Sequence, residues 1–243
     1  MKYAKVVKAE FLSRPNRFLA KVMLNGSVET VHVKNTGRCR ELLQPGSAVW
    51  LAESDNPARK TRYDLVTVAK KRPGKADLMV NMDSQAPNAA AQEWLQSGTY
   101  FSPEAKVRRE TVHGDSRFDF YIEDRGRKAF LEVKGVTLEE DGLAAFPDAP
   151  TERGIKHIEG LIRCLDEGFD AYLLFVLQMK EIRALCPNDR THKAFGDALR
   201  RAHKAGVKIL VYDCRVSPDT MVIDSPIELL LRQPGPASKE DRK

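Results

Sequence analysis

Hydrophobic and polar residues alternate in short runs over the first third of the chain. Runs 6–11, 18–24, 28–33, 48–52, 63–69 and 78–80 interleave branched or aromatic residues with polar ones, the pattern of strands. Arg14-Pro15-Asn16, Asn25-Gly26, Pro45-Gly46, Asn56-Pro57 and Pro73-Gly74-Lys75 supply turns among them. Short strands at this density predict a small closed β-barrel of the oligonucleotide-binding (OB-fold) type over residues 1–82.

The period then changes. Asn88 is a candidate cap for a helix running to Ser97, with Gly98 as its stop. Val107 to His113 reads as a strand. From Thr151 to Glu167, apolar residues at Ile155, Ile158, Leu161, Ile162 and Leu165 have helical spacing, ended by Gly168. Ala171 to Met179 reads as a fully buried strand, Thr191 to Ala205 as a helix stopped by Gly206, and Val207 to Tyr212 as another buried strand. Strands alternating with helices predict a second, α/β domain over residues 83–233, with helices on the faces of a mixed sheet. The polar segment 234–243 reads as a disordered tail.

Within that second domain, Ser-Arg-Phe-Asp-Phe-Tyr-Ile (116–122) and Ala-Phe-Leu-Glu-Val-Lys-Gly-Val (129–136) are strand-like runs around Glu123-Asp124-Arg125-Gly126-Arg127. A hairpin centred between Arg125 and Gly126 pairs residues whose numbers sum to 251, which puts Asp119 opposite Glu132. Lys134 shares the Glu132 face. Carboxylates about 5 Å apart repel by roughly 3 kcal/mol at an effective dielectric near 20, unless a cation lies between them. Asp119 and Glu132 are therefore candidate ligands for Mg²⁺ or Mn²⁺, with Lys134 orienting water or stabilising charge. The bland alternative is a solvated sheet face of alternating charge. Asp/Glu-x-Lys also occurs at Glu104 and Asp241, but only the Glu132 copy lies in an apolar strand with an acid across from it. Glu93, on the first predicted helix, is either a third metal ligand or a surface residue. Gln178 either faces the same pocket or is a satisfied polar group at a strand end. Arg117, on the Asp119 face, and Arg153, Lys156 and His157, opening a helix, are candidate phosphate contacts.

Charge adds a partner to this picture. The chain carries +6, and residues 1–82 alone hold 16 Lys/Arg against 7 Asp/Glu. A basic front domain suits a polyanion. Arg14, Arg17, Arg38, Arg40, Arg59, Lys60 and Arg62 cluster near its turns, among Phe11, Phe18, Trp50 and Tyr63. Arginines for phosphate and aromatics for bases are the mixture such barrels use, although such aromatics more often belong to the core. Four scattered cysteines with no Cys-x-x-Cys argue against a zinc site and for a reducing, cytoplasmic setting. Met-Lys-Tyr-Ala-Lys lacks the apolar run of a signal peptide, and no apolar stretch is long enough to span a bilayer. Neither a Walker glycine loop nor a Ser/His/Asp constellation stands out.

Longer runs carry a resemblance: Asn-Arg-Phe-Leu-Ala (16–20), Asn-Thr-Gly-Arg-Cys (35–39), Ser-Asp-Asn-Pro-Ala-Arg-Lys-Thr (54–61), Gly-Asp-Ser-Arg-Phe-Asp-Phe (114–120), Leu-Glu-Val-Lys-Gly-Val-Thr-Leu (131–138) and Phe-Pro-Asp-Ala-Pro-Thr-Glu-Arg-Gly-Ile-Lys-His (146–157). With these the chain resembles the sugar fermentation stimulation protein A family, over residues 3 to about 225. The resemblance implies an OB-like barrel followed by a restriction-endonuclease-like domain. It also implies nonspecific DNA binding linked to sugar (maltose) metabolism, and a helix-turn-helix over 194–213, where the residues themselves read as helix then strand. Asp119, Glu132 and Lys134 match the nuclease motif PD-(D/E)xK. The expected function is a DNA-binding protein with a Mg²⁺-dependent phosphodiesterase centre. The alternatives are a non-catalytic DNA-binding regulator and an RNA-binding or RNA-processing factor.

Overall fold

The computed structural model describes residues 1–35, 37 and 39–232. Arg38 and the tail 234–243 lie outside the described residues. The barrel is built from β1 (Val6–Ser13), β2 (Leu19–Leu24), β3 (Ser27–Val33), β4 (Ala48–Glu53), β5 (Tyr63–Lys70) and β6 (Leu78–Asn81). The sheet order is β3-β2-β1-β4-β5-β6, and an additional parallel β3–β5 pairing closes the first five strands on themselves. Asn25 and Gly26, at φ +50° and +81°, make the tight turn that sets the β2–β3 register. Phe11, Ala20, Val22, Val31, Leu51 and Leu65 fill the interior, as their alternation predicts.

After β6 the chain enters α1 (Ala86–Gln96), then β7 (Lys106–His113), β8 (Ser116–Asp124), β9 (Arg127–Val136), β10 (Glu139–Glu140), β11 (Leu143–Phe146), α2 (Glu152–Asp166), β12 (Asp170–Leu177), β13 (Ala184–Pro187), α3 (Asp189–Ala205), β14 (Lys208–Val216), β15 (Met221–Pro226) and β16 (Glu228–Leu229). The main sheet runs β15-β14-β12-β9-β8-β7, with β12 parallel to both β9 and β14 and the remaining pairs antiparallel. Its central strand β12 is almost entirely buried, because helices cover both faces of the parallel part. Helix α1 packs on one face with Phe120, Leu131 and Leu174, and α2 and α3 on the other with Phe130 and Phe175. A small sheet, β10-β11-β13-β16, flanks it. No helix among the described residues is long and apolar enough to cross a membrane.

Three local expectations change. Asn88 does not cap α1, which starts at Ala86 with Pro87 in its first turn. Proline, with its fixed φ and no N–H, is the stronger start signal, and it frees the Asn88 side chain for other work. Residues 208–216 form strand β14, hydrogen-bonded beside β12, so a helix-turn-helix over 194–213 has no second helix. Residues 1–3 leave the barrel: Lys2 bridges Thr220, and Tyr3 N–H donates to the Asp219 carbonyl at 2.8 Å.

The two domains meet at a polar seam inside one continuous core that runs from Val22 and Leu51 to Phe175 and Leu199. Gln178, 2 % exposed, donates its side-chain amide to the Asn81 carbonyl and side chain and to the Asp83 carbonyl at 3.0–3.2 Å. Its backbone N–H bonds the Val136 carbonyl, and its own carbonyl accepts from Asn81 N–H. Gln178 is thus a satisfied buried group that ties β6 to β9. Opposite it, a Cβ on Gly135 would come within 2.6 Å of both Gln178 Oε1 and Pro87 Cγ. Gly135→Ala should therefore lose about 1–3 kcal/mol of stability, read as a fall in urea midpoint with little change in slope. An unchanged midpoint would show that the seam yields without cost.

Candidate active site

Arg125 and Gly126, at φ +50° and +77°, form the two-residue turn of the β8–β9 hairpin. Pairing from Asp124↔Arg127 to Phe120↔Leu131 keeps the predicted sum of 251. The ladder stops there, so the expected cross-strand pair of Asp119 with Glu132 does not form. On the other side of β8, Glu110 takes φ +53° between the pairs Arg109↔Phe120 and Thr111↔Phe118. Phe118 packs with Phe130 and His157, whereas Phe120 joins the cluster under α1. Asp119 sits at this step, where β8 leaves β9. Its Oδ2 accepts from Val133 N–H at 2.8 Å, in place of a ladder carbonyl, and its Oδ1 accepts from the Asn88 amide at 2.7 Å.

Glu132 is 3 % exposed. Its Oε1 accepts from Lys134 Nζ at 2.6 Å and from His157 Nδ1, while its Oε2 is buried without a hydrogen-bond partner. Burial raises the Glu132 pKa, but the His157 hydrogen bond and the Lys134 ammonium outweigh it and leave the carboxyl below its ordinary value. Asp119 goes the other way: burial and then the Glu132 charge lift it, against the Val133 N–H, the Asn88 amide and Lys134. The Glu132 charge thus lies close enough to Asp119 to raise it.

The hairpin and the start of α2 thus bring together Asp119, Glu132, Lys134 and His157, with Asn88 joining from α1. Glu93 is not brought in. It lies on the exposed side of α1 and holds the Met1 ammonium at 2.6 Å. Asn88, five residues earlier and so on a different face of the helix, reaches Asp119 instead. Arg117 points to solvent and pairs with Glu110, and Lys156 pairs with Asp115. Arg153 Nε donates to His157 Nε2 at 3.4 Å. His157 is buried, so it faces the carboxylate rather than solvent. Sequence reasoning underused one signal here: His157 falls three residues after Gly154 and four before Leu161, on the buried stripe of α2.

The barrel cations divide similarly. Arg14 spends its guanidinium on the carbonyls of Arg17, Asn35 and Gly37, tying the β3–β4 loop, so it is a structural group. Arg59 grips Asp64 through two bonds, and Arg62 pairs with Glu53. Arg17, Arg40 and Lys60 are exposed, with Arg17 over the Phe18 ring. Phe11 and Tyr63 belong to the core, while Phe18 is exposed. His32 and Lys34, which the sequence did not single out, converge with Arg59 on Asp64, and Lys34 also reaches Asp83. A cleft of about 140 Å³ is lined by Asn35, Ser84, Gly135, Thr137, Asp148 and Gln178, and by neither acid of the pair.

An OB barrel fused to a restriction-endonuclease-like domain defines the class of the molecule. Residues 12–80 match the family model described as the SfsA N-terminal OB domain, and residues 85–220 the one described as the sugar fermentation stimulation protein RE domain. The chain belongs to the sugar fermentation stimulation protein family. It is 53 % identical over 221 residues to the sugar fermentation stimulation protein homolog of Desulfitobacterium hafniense, covering 91 % of this chain and 94 % of that one. The homolog from Clostridium beijerinckii is 48 % identical over 231 residues, covering 95 % and 100 %. A solved structure, Pyrococcus furiosus SfsA in complex with Ca²⁺, superposes with a TM-score of 0.82 at 26 % identity, covering 95 % of this chain and 98 % of that one.

Two predictions follow from these electrostatics. Asp119 is destabilising when charged, since a carboxyl raised in the folded state loses stability as pH climbs through its pKa. Asp119→Asn, with the Asn88 amide flipped to accept, should therefore raise the melting temperature of metal-free protein at neutral pH; a lower melting temperature would show that the charge is not costly. Asp64 behaves oppositely. Burial raises it, but bonds from Arg59 and His32 and the Lys34 charge bring it down to about 2, so its contribution is present above pH 3.8 and lost as pH falls towards 2. Arg59→Ala should cost roughly 1–2 kcal/mol at pH 7 by urea unfolding, a gap that narrows below pH 4.

Proposed function

We propose that the chain binds nucleic acid through its barrel and hydrolyses phosphodiester bonds at Asp119, Glu132 and Lys134 with a Mg²⁺-class cation, a PD-(D/E)xK centre. The observation that carries this reading is Glu132 Oε2, a carboxylate oxygen buried beside a second acid with no donor of its own. A buried carboxylate oxygen left without a donor costs about 1–3 kcal/mol in general, even where its partner oxygen is paired, so Oε2 is a position a cation would satisfy. Among the described residues no cluster of three or more His, Cys, Asp or Glu gathers for a metal. The reading therefore rests on two carboxylates, the number Mg²⁺ commonly takes from a protein, with water and substrate phosphate in its remaining positions. Pyrococcus furiosus SfsA was solved with Ca²⁺, another hard cation that prefers oxygen.

When bound, the cation would polarise the scissile phosphate and lower the pKa of a water. Asp119 and Glu132 would hold it. Lys134, already 2.6 Å from Glu132, would present its ammonium to charge building on the phosphate oxygens. Asn88 and Val133 N–H keep the Asp119 carboxylate aimed while it waits. DNA is the favoured substrate from the family's character, with the exposed Arg17, Arg40 and Lys60 supplying salt-dependent grip on the backbone.

The test is cleavage of labelled single-stranded DNA, duplex DNA and RNA, with Mg²⁺, with Mn²⁺ and with EDTA. Wild type should cut at least one substrate with metal and none in EDTA. Lys134→Ala should cut at least about 100-fold more slowly while still binding Mn²⁺ by calorimetry. Tight binding of DNA with no cleavage under any condition would replace the hydrolase by a non-catalytic DNA-binding regulator. Cleavage or binding confined to RNA would favour an RNA-processing role.

A further inference from the structure

His157 is the one ionisable side chain of α2 turned fully inward at the acidic pair, and both its ring nitrogens are engaged. Nε2 accepts from Arg153 Nε, so the proton of the neutral ring belongs on Nδ1, which donates to Glu132 Oε1. Lys134 donates to that same oxygen. Two donors therefore converge on Oε1 and leave Oε2 bare. The terminal torsion of a glutamate is soft, and one ammonium alone would not settle which oxygen it takes. A second donor, fixed in direction by a planar ring, removes that freedom.

The helix is seated to make this contact. Thr151 caps α2 by accepting from Gly154 N–H at 3.0 Å, which fixes where the first turn begins. Gly160, three residues beyond His157, lies against β8 so closely that a Cβ would stand 2.8 Å from Ser116 Oγ and 3.1 Å from the Phe118 ring. Phe118 in turn meets the His157 ring edge-on at 6.4 Å. With only 7 % of the residue exposed, the imidazole has no free nitrogen to offer a nucleic-acid phosphate.

We propose that His157 is a positioning residue for the metal centre. It locks the Glu132 carboxylate so that Oε2 alone faces the cation. The inference rests on the reading that Asp119 and Glu132 hold a divalent ion. It differs from a structural role, because what matters is a donor at the Nδ1 position rather than the bulk of the ring.

The experiment is calorimetric titration of Mn²⁺ into metal-free wild type, Asp119→Asn, His157→Leu, His157→Asn and His157→Gln. It is paired with fluorescence anisotropy of a labelled oligonucleotide in EDTA. Asparagine places an amide N–H near the Nδ1 position; leucine removes the donor, and glutamine moves it by one methylene. His157→Leu and His157→Gln should weaken Mn²⁺ binding by about 10–100-fold, the usual cost of losing an outer partner of a metal ligand, and His157→Asn should recover most of it. Oligonucleotide affinity in EDTA should stay within about 2-fold for all three. Equal Mn²⁺ affinity in wild type and His157→Leu would overturn the inference alone, as would an Asn variant as weak as the Leu one. A loss of EDTA binding in every variant would make His157 a phosphate contact instead. If wild type itself gives no Mn²⁺ signal that Asp119→Asn abolishes, the metal reading fails and takes this inference with it. Should His157→Leu not fold, the Asn and Gln variants still decide.

Discussion

A buried carboxylate with one oxygen satisfied twice and the other not at all is the constraint around which this molecule is organised. Glu132 sits on a central strand with β12 on one side and Asp119 near the other, where water cannot screen it. Lys134 and His157 keep it ionised against the cost of burial, and in doing so they leave its charge to act on Asp119. The result is two acids displaced in opposite directions in one small volume, the kind of arrangement that makes a site a functional candidate. The surrounding devices serve it: the step in β8, the Asn88 amide from α1, and the close docking of α2 through Gly160.

The barrel is fixed to this centre rather than tethered to it. Gln178 and Gly135 lie at the seam, and the apolar core runs through both domains without a break. Lys70 reaches Glu139 across the same boundary, and Arg72 reaches Glu181. A continuous seam means that the exposed barrel cations and the acidic pair keep one geometry, as the proposed placing of a polyanion over that pair would require.

Much of the architecture was legible because its signals are local. The six barrel strands fall within two residues of where alternation and turns put them, and the β8–β9 register follows from a two-residue turn whose glycine adopts positive φ. The short strands β10, β11, β13 and β16 were not legible. They carry two to four residues each, too few to show a period, and exist because distant segments pair with them. Among candidate site residues, the proximity of Asp119, Glu132 and Lys134 could be expected from one hairpin. Glu93 and Arg14 misled, since nothing in their neighbourhoods announces that the Met1 ammonium would occupy the first and three backbone carbonyls the second.

What the sequence settled by itself, then, is whatever depends on residues near each other along the chain: strand period, turn type and the hairpin register as far as Phe120↔Leu131, beyond which Asp119 leaves the ladder and takes Val133 N–H. Tertiary structure decided which charges are spent and which are left. Whether a carboxylate oxygen goes bare, or an arginine is consumed by a loop, depends on groups contributed by β9, α1 and α2 from more than sixty residues of chain. Charge interactions act through space and burial, and neither can be read from order along a chain.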